Sequence, residues 1–391
     1  MNTAVIGMLH DDRLLPAARR LRPDADPDEV LARAAWSVLV EPGDGVAGTL
    51  VGEHGARRAL ELAVGETGLL VPGSLTPHQL AEAQARWRPR AQARAVLDAL
   101  ESCAHIGGRL LLPGDEHWPV GLDDLGAHAP LVLWARGDVD GCSGRPAVSI
   151  VGARAATAYG ESVAAELAGD LAAGGVAVIS GGAYGIDGAA HRAALGAGGT
   201  TIAYLAGGVD RAYPVGHQQL FDRIRNGGAV LSEVPCGAAP TKWRFLQRNR
   251  LIAAAGAATV VVEAGWRSGS LNTAGHAAAL GRPLGAVPGP VTSAASAGCH
   301  RLLREYDAVC VTSAQEVREL WQDASDDVPV PQSVSPDQIR LLDALSTRTP
   351  RAVTEIARLS GLAETRVRSL LGLLGLDGAV EQVRDGWRRT A

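Results

Sequence analysis

The chain has 391 residues, of which 47% are hydrophobic and 20% are charged, and its formal net charge is -5. This length suggests two or three domains, and this composition argues against intrinsic disorder. No stretch approaches eighteen uninterrupted apolar residues and the N-terminus has no secretory pattern, so we expect a soluble cytoplasmic protein without membrane contact. The five cysteines form no CxxC pair, and we expect neither a disulfide framework nor a metal site.

Residues 1–105 are predicted to form a small helical domain of the SAM or helix-hairpin-helix type. Segment 28–40 has helical spacing, and segment 48–63 contains a glycine-punctuated turn that leads into a second amphipathic stretch. Domains with such a turn can grip a nucleic-acid backbone. However, residues 1–144 carry 20 acidic and 13 basic side chains, which favours a packing or partner-docking role.

Short apolar, β-branched runs alternate with helical patterns from about residue 131 onward. The runs are 131–137, 147–152, 176–180, 201–208, 229–234, 259–265, 284–289 and 308–312. Most are apolar on both faces, as strands buried between two layers of helices must be. The alternation predicts an α/β domain over residues 106–322, with an extended Rossmann-like, doubly wound and mainly parallel sheet.

Residues 323–335 are predicted to form a linker, because this segment is acidic, contains proline and is poor in large apolar residues. Two helices joined through Ser360 and Gly361, followed by a short strand pair, predict a winged helix over residues 336–391. Its second helix carries Arg366 and Arg368, which suits nucleic-acid binding. Residues 319–391 nevertheless carry 11 acidic and 9 basic side chains, which suits a docking module equally well.

Bare turns that are rich in hydrogen-bond donors follow three of the predicted strands. Their donor residues are Gly152 and Arg154, then Ser180, Gly181 and Gly182, and later Ser268, Gly269 and Ser270. Glycine lets an anion approach backbone N–H groups, serine adds donors, and each following helix presents its positive end. The turn at 151–160 lacks the GxGxxG spacing and the chain contains no GxxxxGK[ST], so we predict an anion site without an NAD or ATP cofactor.

Positive charge and aromatic rings are interleaved in segment 240–256. The side chains concerned are Lys242, Trp243, Arg244, Phe245, Arg248 and Arg250. Single-stranded nucleic acid is bound by such patterns, with cations along the backbone and rings stacked on bases. The alternative is that Trp243 and Phe245 belong to the core. Residues 240–304 hold eight basic side chains against Glu263 alone, which creates a local positive field.

Asp187, His191 and Glu263 are the candidate acids and bases at the strand ends. Asp187 suits the N-cap of a helix over 188–195, and His191 lies four residues further on, within reach of an Asp–His hydrogen bond. Since no serine or cysteine nucleophile is tied to them by spacing, catalysis is the alternative to binding. The alternative function is a Rossmann-like nucleotide hydrolase that acts on a mononucleotide.

Six motifs over about residues 110–320 resemble, in order, those of the DNA-processing protein A (DprA/Smf) family. They are SIVGARAATAYG, SGGAYGIDGAAHRAAL, TIAYLAGGVDRAYPVGHQQL, GGAVLSEVPCGAAPTKWRFLQRNRLIAA, VVEAGWRSGSLNTAGHAAALGRPLGAVPGP and AGCHRLL. The resemblance implies a cytoplasmic homodimer that binds single-stranded DNA, protects incoming DNA and loads the RecA recombinase during natural transformation. It also implies that the protein is not an enzyme.

The resemblance assigns roles to individual residues of the chain. Arg154 in VGAR looks like the family's main DNA-backbone arginine, and Lys242 and Phe245 in KWRF resemble its lysine and base-contacting aromatic. The following Arg248, Asn249 and Arg250 match the family's RNR. The turn at 180–182 would then hold a DNA phosphate beside Arg154. Tyr184 stands where the family often has a basic residue, so that a ring able to stack replaces a charge.

Overall fold

The structure is a computed structural model that describes residues 11–65, 73–321, 335–376, 378–384 and 386–390. The chain divides into two compact units, Met1–Asp323 and Ala324–Ala391. The predicted linker at 323–335 lies, apart from Ser335, outside the described residues. Within the described ranges, no helix is long and apolar enough to cross a membrane.

The first unit opens with helices, as predicted. Those described up to residue 105 are α1 (Leu14–Leu21), α2 (Pro27–Leu39), α3 (Gly45–His54), α4 (Ala56–Val64), α5 (Pro77–Trp87) and α6 (Ala93–His105). The predicted helix at 28–40 is confirmed as α2, and Gly55 with φ +76° makes the expected break between α3 and α4. Trp36 and Trp87 are fully buried and meet edge to face, with ring centroids 5.3 Å apart.

A nine-stranded sheet follows the helices. Its strands are β1 (Arg109–Leu111), β2 (Leu133–Gly137), β3 (Ala147–Val151), β4 (Ala177–Ser180), β5 (Thr201–Leu205), β6 (Gly228–Ser232), β7 (Ala258–Val261), β8 (Leu284–Ala286) and β9 (Val309–Cys310). All eight predicted runs are confirmed as strands; β1 is an additional strand of three residues. The spatial order is β1-β2-β6-β5-β4-β3-β7-β8-β9, in which β2 runs antiparallel to both of its neighbours, β1 and β6, and all the other pairs are parallel.

Helices cover both faces of this sheet. They are α7 (Ala158–Ala173), α8 (Ile186–Gly196), α9 (Gln218–Gly227), α10 (Lys242–Ala255), α11 (Ser270–Ala279), α12 (Ala297–Glu305) and α13 (Ala314–Glu319). Alternating side chains of β3 enter two cores: Val148 and Ile150 pack with α7 and α8, whereas Val151 packs with α10 and α11. The predicted doubly wound α/β fold is therefore confirmed.

The strand order of the sheet reverses at β3. The chain runs from β3 outward through β4, β5 and β6, and then returns to the other side of β3 with β7. The strand order thus reverses between β3 and β7. Ligands of open α/β sheets bind outside the carboxyl ends of the strands at such a reversal.

The second unit has the predicted winged-helix elements. They are α14 (Pro336–Asp343), α15 (Val353–Ser360), α16 (Glu364–Leu376), β10 (Val380–Val383) and β11 (Gly386–Arg389). Gly361, with φ +70°, ends α15 in the left-handed conformation. Arg366 is paired with Asp337 and Arg368 with Glu364, each at 2.9 Å. The arginines on the predicted recognition helix are therefore already ion-paired within their own unit.

Candidate nucleic-acid interface

A cleft opens at the carboxyl ends of β3 and β7. It lies between the turn after β3, the first half of α10 and the loop that precedes α11. The predicted site residues in its wall are Gly152, Arg154, Phe245, Arg248, Asn249, Ser268, Gly269 and Ser270. Gly181 lines an adjoining hollow, which shares Arg154 and Phe245 with the cleft. The structure thus brings together most of the residues predicted from separate motifs.

Gly152 allows the turn after β3 to pass close to two other segments. A Cβ atom at this position would lie 2.5 Å from the side chain of Ile186 and 2.9 Å from the carbonyl of Glu263. The amide of the next residue, Ala153, donates to the Glu263 carbonyl at 2.7 Å, and its carbonyl accepts from the Ile186 amide at 3.2 Å. This fixed turn holds the exposed Arg154 at the rim of the cleft.

Arg154 and Phe245 are in contact at the cleft. The guanidinium carbon of Arg154 lies 4.8 Å from the centroid of the Phe245 ring, within the range of a cation–π interaction. Phe245 is half-buried, and Tyr213 lies against it with ring centroids 5.4 Å apart. Trp243 is 57% exposed. The alternative that Trp243 and Phe245 belong to the core is therefore wrong.

Arg248 lies at the bottom of the cleft, where it is hydrogen-bonded to the backbone. Its buried guanidinium donates through Nη1 to the carbonyls of Gly181, at 2.8 Å, and Tyr204. Burial lowers the pKa of Arg248 to about 10, against the opposing effect of the nearby Asp187 carboxylate. A Cβ atom on Gly181 would lie 2.3 Å from this guanidinium, so a larger residue at this position would displace Arg248. These contacts give Arg248, predicted as a DNA contact, an internal structural role.

The bare turn at Ser180, Gly181 and Gly182 holds a carboxylate of its own chain. The amides of Gly181 and Ala183 donate to Oδ2 of Asp187 at 3.1 and 3.3 Å. The Ser180 hydroxyl is fully buried and donates to a carbonyl of β3 at 2.6 Å. The predicted phosphate cradle is therefore corrected for the Ser180 hydroxyl and the Gly181 amide, because both donors already have partners inside the protein.

Asp187 binds this turn from within helix α8. The prediction that it is the N-cap is wrong, since α8 begins at Ile186 and the N-cap is Gly185, with φ +72°. Burial raises the pKa of Asp187, while Arg248 and the hydrogen bonds from the turn act in the opposite direction. Gly181 thus donates to Asp187 through its N–H and accepts from Arg248 through its carbonyl.

His191 and Glu263 are also engaged internally. His191 does not contact Asp187 as predicted: its Nδ1 lies 2.7 Å from Oγ1 of Thr201. Because that hydroxyl donates to a carbonyl of β4, the imidazole must donate at Nδ1, and burial lowers the pKa of His191 to about 3. Glu263 is 1% exposed and accepts from the amide and hydroxyl of Thr157 at 2.8 and 2.7 Å.

Arg250 lies away from the cleft, on another side of α10. Its Nη2 donates to Oε1 of Glu233 at 2.9 Å and to the carbonyl of His128 at 2.8 Å. Its side chain is 4% exposed. The prediction that Arg250 contacts DNA is thus corrected, because its charge is used to join α10 to β6 and to the segment before β2.

The loop before α11 forms the opposite wall of the cleft. Asn249 donates through Nδ2 to Oδ1 of Asn272 at 3.2 Å, which links α10 to α11. The hydroxyls of Ser268 and Ser270 lie 2.7 Å apart, and Gly269 between them is exposed. The N-terminus of α11 therefore lies in the cleft wall, where its partial positive charge favours an anion.

Two contributors to this region were not predicted from the sequence. Glu41 of the helical part accepts from Arg244 at 2.9 Å and from Arg90 at 2.7 Å, which holds the start of α10. Tyr213 lies against Phe245 although it comes from the loop after β5. No spacing in the sequence indicates the Glu41 contact. Tyr213 belongs to the motif TIAYLAGGVDRAYPVGHQQL. An aromatic residue in the loop after a strand was the sequence signal that could have indicated its place beside the cleft.

Cys299 and His300, at the start of α12, each contact a backbone carbonyl. Cys299 is buried and donates to the carbonyl of Val261 at 3.5 Å, while Nε2 of His300 lies 2.9 Å from the carbonyl of Gly289. Across the described part of the chain, no three His, Cys, Asp or Glu side chains are placed to hold a metal ion.

The fold is that of a doubly wound α/β protein with a cleft at the carboxyl ends of its strands, and the chain also contains a winged helix. The family described as DNA recombination-mediator protein A matches residues 109–322, and the DprA winged helix domain matches residues 325–386. The chain therefore belongs to the DNA recombination-mediator protein A (DprA) family, whose members are DNA-processing proteins.

Relatives and solved structures agree with this assignment. The putative DNA processing protein DprA of Mycobacterium tuberculosis is 49% identical over 311 residues, which are 74% of this chain and 79% of the relative. The X-ray structure of DprA from Streptococcus pneumoniae has 31% identity and a TM-score of 0.60, covering 75% of this chain and 98% of that chain. DprA from Helicobacter pylori, described for its unique single-stranded DNA binding mode, has 30% identity and a TM-score of 0.50, covering 55% and 94%.

Proposed function

We propose that the chain binds single-stranded DNA across the cleft, with Arg154 on the phosphate backbone and Phe245 against a base. The observation that carries this proposal is the exposed cation–π pair at the rim. Within the described residues Arg154 has no ion-pair partner, so its charge is available to an anion. A guanidinium beside a partly exposed ring provides the two contacts that single-stranded binding needs.

Residues in the cleft wall and at the start of α10 supply further contacts for the backbone of the strand. Ser268, Gly269 and Ser270 in the wall lead into the positive end of α11, and the exposed Lys242, which does not line the cleft, begins α10 three residues before Phe245. Gly152 keeps the backbone free of a side chain beside Arg154. These groups contact phosphates rather than base edges, so we infer binding with little sequence preference. The buried Arg248 adds positive potential from below.

The internal engagement of the candidate acids and bases favours binding over catalysis. Asp187 accepts from the turn at 181–183, His191 is neutral and paired with Thr201, and Glu263 accepts from Thr157. A nucleotide hydrolase would need one of these groups to reach a substrate or water. We therefore propose a binding protein that carries out no chemical step.

Equilibrium binding to fluorescent single-stranded and double-stranded oligonucleotides tests the proposal. If about six phosphates are neutralised, log affinity should fall with log salt at a slope near -4, from roughly -0.7 per phosphate of a single strand. We expect tighter binding to the single strand. Equal binding to both forms with a slope near zero would contradict the proposal, and release of a free base or phosphate from a nucleotide panel would favour the hydrolase.

The family resemblance extends the proposal to partners. We propose that the protein acts in the cytoplasm as a homodimer, protects incoming single strands and loads the RecA recombinase during natural transformation. Strand β9 ends the sheet with Val309 52% exposed, which is an edge that a second copy can cover. Sedimentation velocity tests the dimer. Faster RecA filament formation on single strands coated with single-stranded DNA-binding protein tests the loading, and an unchanged rate would restrict the role to binding.

A further inference from the structure

The second unit carries a groove that is lined by the C-terminal ends of α14 and α15. Three arginines converge on it: Arg340 from the last turn of α14, Arg351 from the segment before α15, and Arg358 from the last turn of α15. The groove has a volume of about 560 Å³, within the range of roughly 300 to 1,000 Å³ that is typical of ligand-binding clefts. All of its lining residues belong to the second unit.

Two of the groove arginines are available to a ligand. Arg340 and Arg358 are exposed, and within the described residues neither has an ion-pair partner. Arg351 is held in place: its Nη1 donates to the carbonyl of Ala344 at 2.6 Å, and its Nε lies 3.8 Å from a carboxylate oxygen of Glu355. Because like charges on one concave surface raise the local positive potential, the groove favours an anionic ligand.

The arginines of α16 differ from those of the groove. Arg366 and Arg368 are ion-paired with acidic side chains of the same unit, each at 2.9 Å. The second helix of the helix-turn-helix is the element by which a winged helix commonly reads DNA. The unpaired Arg340 and Arg358 lie on the two preceding helices, so the groove is separate from that DNA-reading element.

Two further side chains in the groove wall indicate which kind of anion fits. Leu359 is 46% exposed, and an exposed leucine favours a ligand that also carries an apolar side chain. The exposed carboxylate of Asp343 can accept a hydrogen bond but repels another anion. A peptide backbone has N–H donors for this carboxylate, whereas a phosphodiester backbone has none. The wall therefore suits an acidic peptide better than a nucleic-acid backbone.

We propose that the groove binds an acidic peptide segment of a partner protein. Carboxylates of the peptide pair with Arg340 and Arg358, an apolar side chain of the peptide packs on Leu359, and a backbone N–H of the peptide donates to Asp343. The second unit thereby acts as a docking module for a protein. This role goes beyond the proposed binding of single-stranded DNA and does not depend on it.

Fluorescence anisotropy with the full-length protein tests this docking role. The probe is a short fluorescein-labelled peptide of aspartate, serine and leucine, and its control has asparagine in place of every aspartate. We expect the native protein to bind the acidic peptide and not the control peptide. Arg340→Gln and Arg358→Gln should each weaken binding roughly 2- to 5-fold, as the loss of an exposed ion pair implies. Arg389→Gln, at an exposed arginine of β11 outside the groove, is the matched control and should bind as the native protein does.

The variants also locate the peptide on the protein. Arg154→Ala, in the DNA cleft, should leave peptide affinity unchanged. No binding of the acidic peptide by the native protein, or equal weakening by Arg389→Gln and the two groove variants, would overturn the proposal. Loss of peptide binding in Arg154→Ala with native affinity in both groove variants would overturn it as well.

A labelled DNA duplex tests the competing ligand of the groove. A duplex that loses affinity in Arg340→Gln and Arg358→Gln, together with no binding of the acidic peptide, would assign the groove to nucleic acid and overturn the peptide site. Failure of the native protein to bind single-stranded DNA would contradict the proposed function and leave the peptide site standing.

Discussion

The guanidinium of Arg154 and the ring of Phe245 lie 4.8 Å apart, although one follows β3 and the other belongs to α10. In the proposed function, this contact joins a cation that binds a phosphate and a ring that contacts a base in one surface. Arg248 approaches the same ring to 5.8 Å from the buried side. The two arginines therefore differ: Arg154 is exposed, while Arg248 is buried and donates to the carbonyls of Gly181 and Tyr204.

This contact predicts non-additive effects on DNA affinity. Arg154→Ala removes the cation and leaves the Phe245 ring without the group that lies on it, whereas Phe245→Ala removes a stacking contact worth roughly 1 to 3 kcal/mol. Because the two side chains touch, the double variant should lose less than the sum of the single losses, with a coupling of roughly 0.5 to 3 kcal/mol. Anisotropy titrations of the four proteins measure it. Strict additivity would mean that the pair does not act as one surface.

Asp187 is predicted to be a stability residue. Asp187→Ala removes the acceptor of two amides and leaves the buried Arg248 without its nearby negative charge. Breaking a buried charge arrangement costs roughly 3 to 5 kcal/mol of unfolding free energy. Urea unfolding measures this loss, and Asp170→Ala on the exposed side of α7 is the control, expected within about 0.5 kcal/mol of the native protein. Equal stability of the two variants would contradict the assigned role.

Arg250 is predicted to affect folding and not DNA binding. Arg250→Ala leaves the half-buried Glu233 without its cation and removes two hydrogen bonds to the His128 carbonyl. We expect a loss of roughly 3 to 5 kcal/mol in unfolding free energy. The salt slope of DNA binding, measured where the variant remains folded, should be unchanged. A reduced slope would show that Arg250 contacts DNA and would contradict this prediction. Arg304→Ala, at an exposed arginine, is the comparison variant.

His191 predicts a pH dependence of stability. Burial lowers its pKa to about 3, whereas the unfolded chain takes up a proton near the ordinary value of 6.5. The unfolded state therefore binds more protons between these values, so the contribution of His191 to stability is lost as the pH falls from 6.5 towards 3. His191→Asn keeps an N–H donor for Thr201 and does not titrate. Between pH 7 and pH 4.5, the native protein should lose roughly 2 to 3 kcal/mol relative to this variant in urea unfolding. Parallel curves would contradict a neutral buried imidazole.

The architecture follows from the sequence because its strands are buried on both faces. Runs such as 147–152 and 259–265 are apolar without alternation, and only a sheet between two helical layers explains several of them in one chain. Strand β1, with three residues, is too short for such a pattern. The cleft was predictable for a related reason: turns after parallel strands meet at one edge of the sheet.

The donors at the cleft were harder to assign, since a pattern does not show which groups are already paired. The turn at 180–182 has the composition of an anion cradle, and the anion it binds is the carboxylate of Asp187. In the RNR segment, the two arginines differ because α10 turns Arg248 beneath the cleft and Arg250 towards Glu233. Helical geometry turns residues two positions apart by about 200°, but their partners come from distant segments that local sequence does not reveal.

The most direct test of the account compares Arg154 with Arg145, exposed arginines near opposite ends of β3. Affinity for a fluorescent single-stranded oligonucleotide would be measured over a salt series for the native protein, Arg154→Ala and Arg145→Ala. We predict that Arg154→Ala binds more weakly, with a slope against log salt smaller by about 0.7, and that Arg145→Ala binds as the native protein does. Equal behaviour of the two variants would contradict the placement of the DNA at the carboxyl ends of the strands.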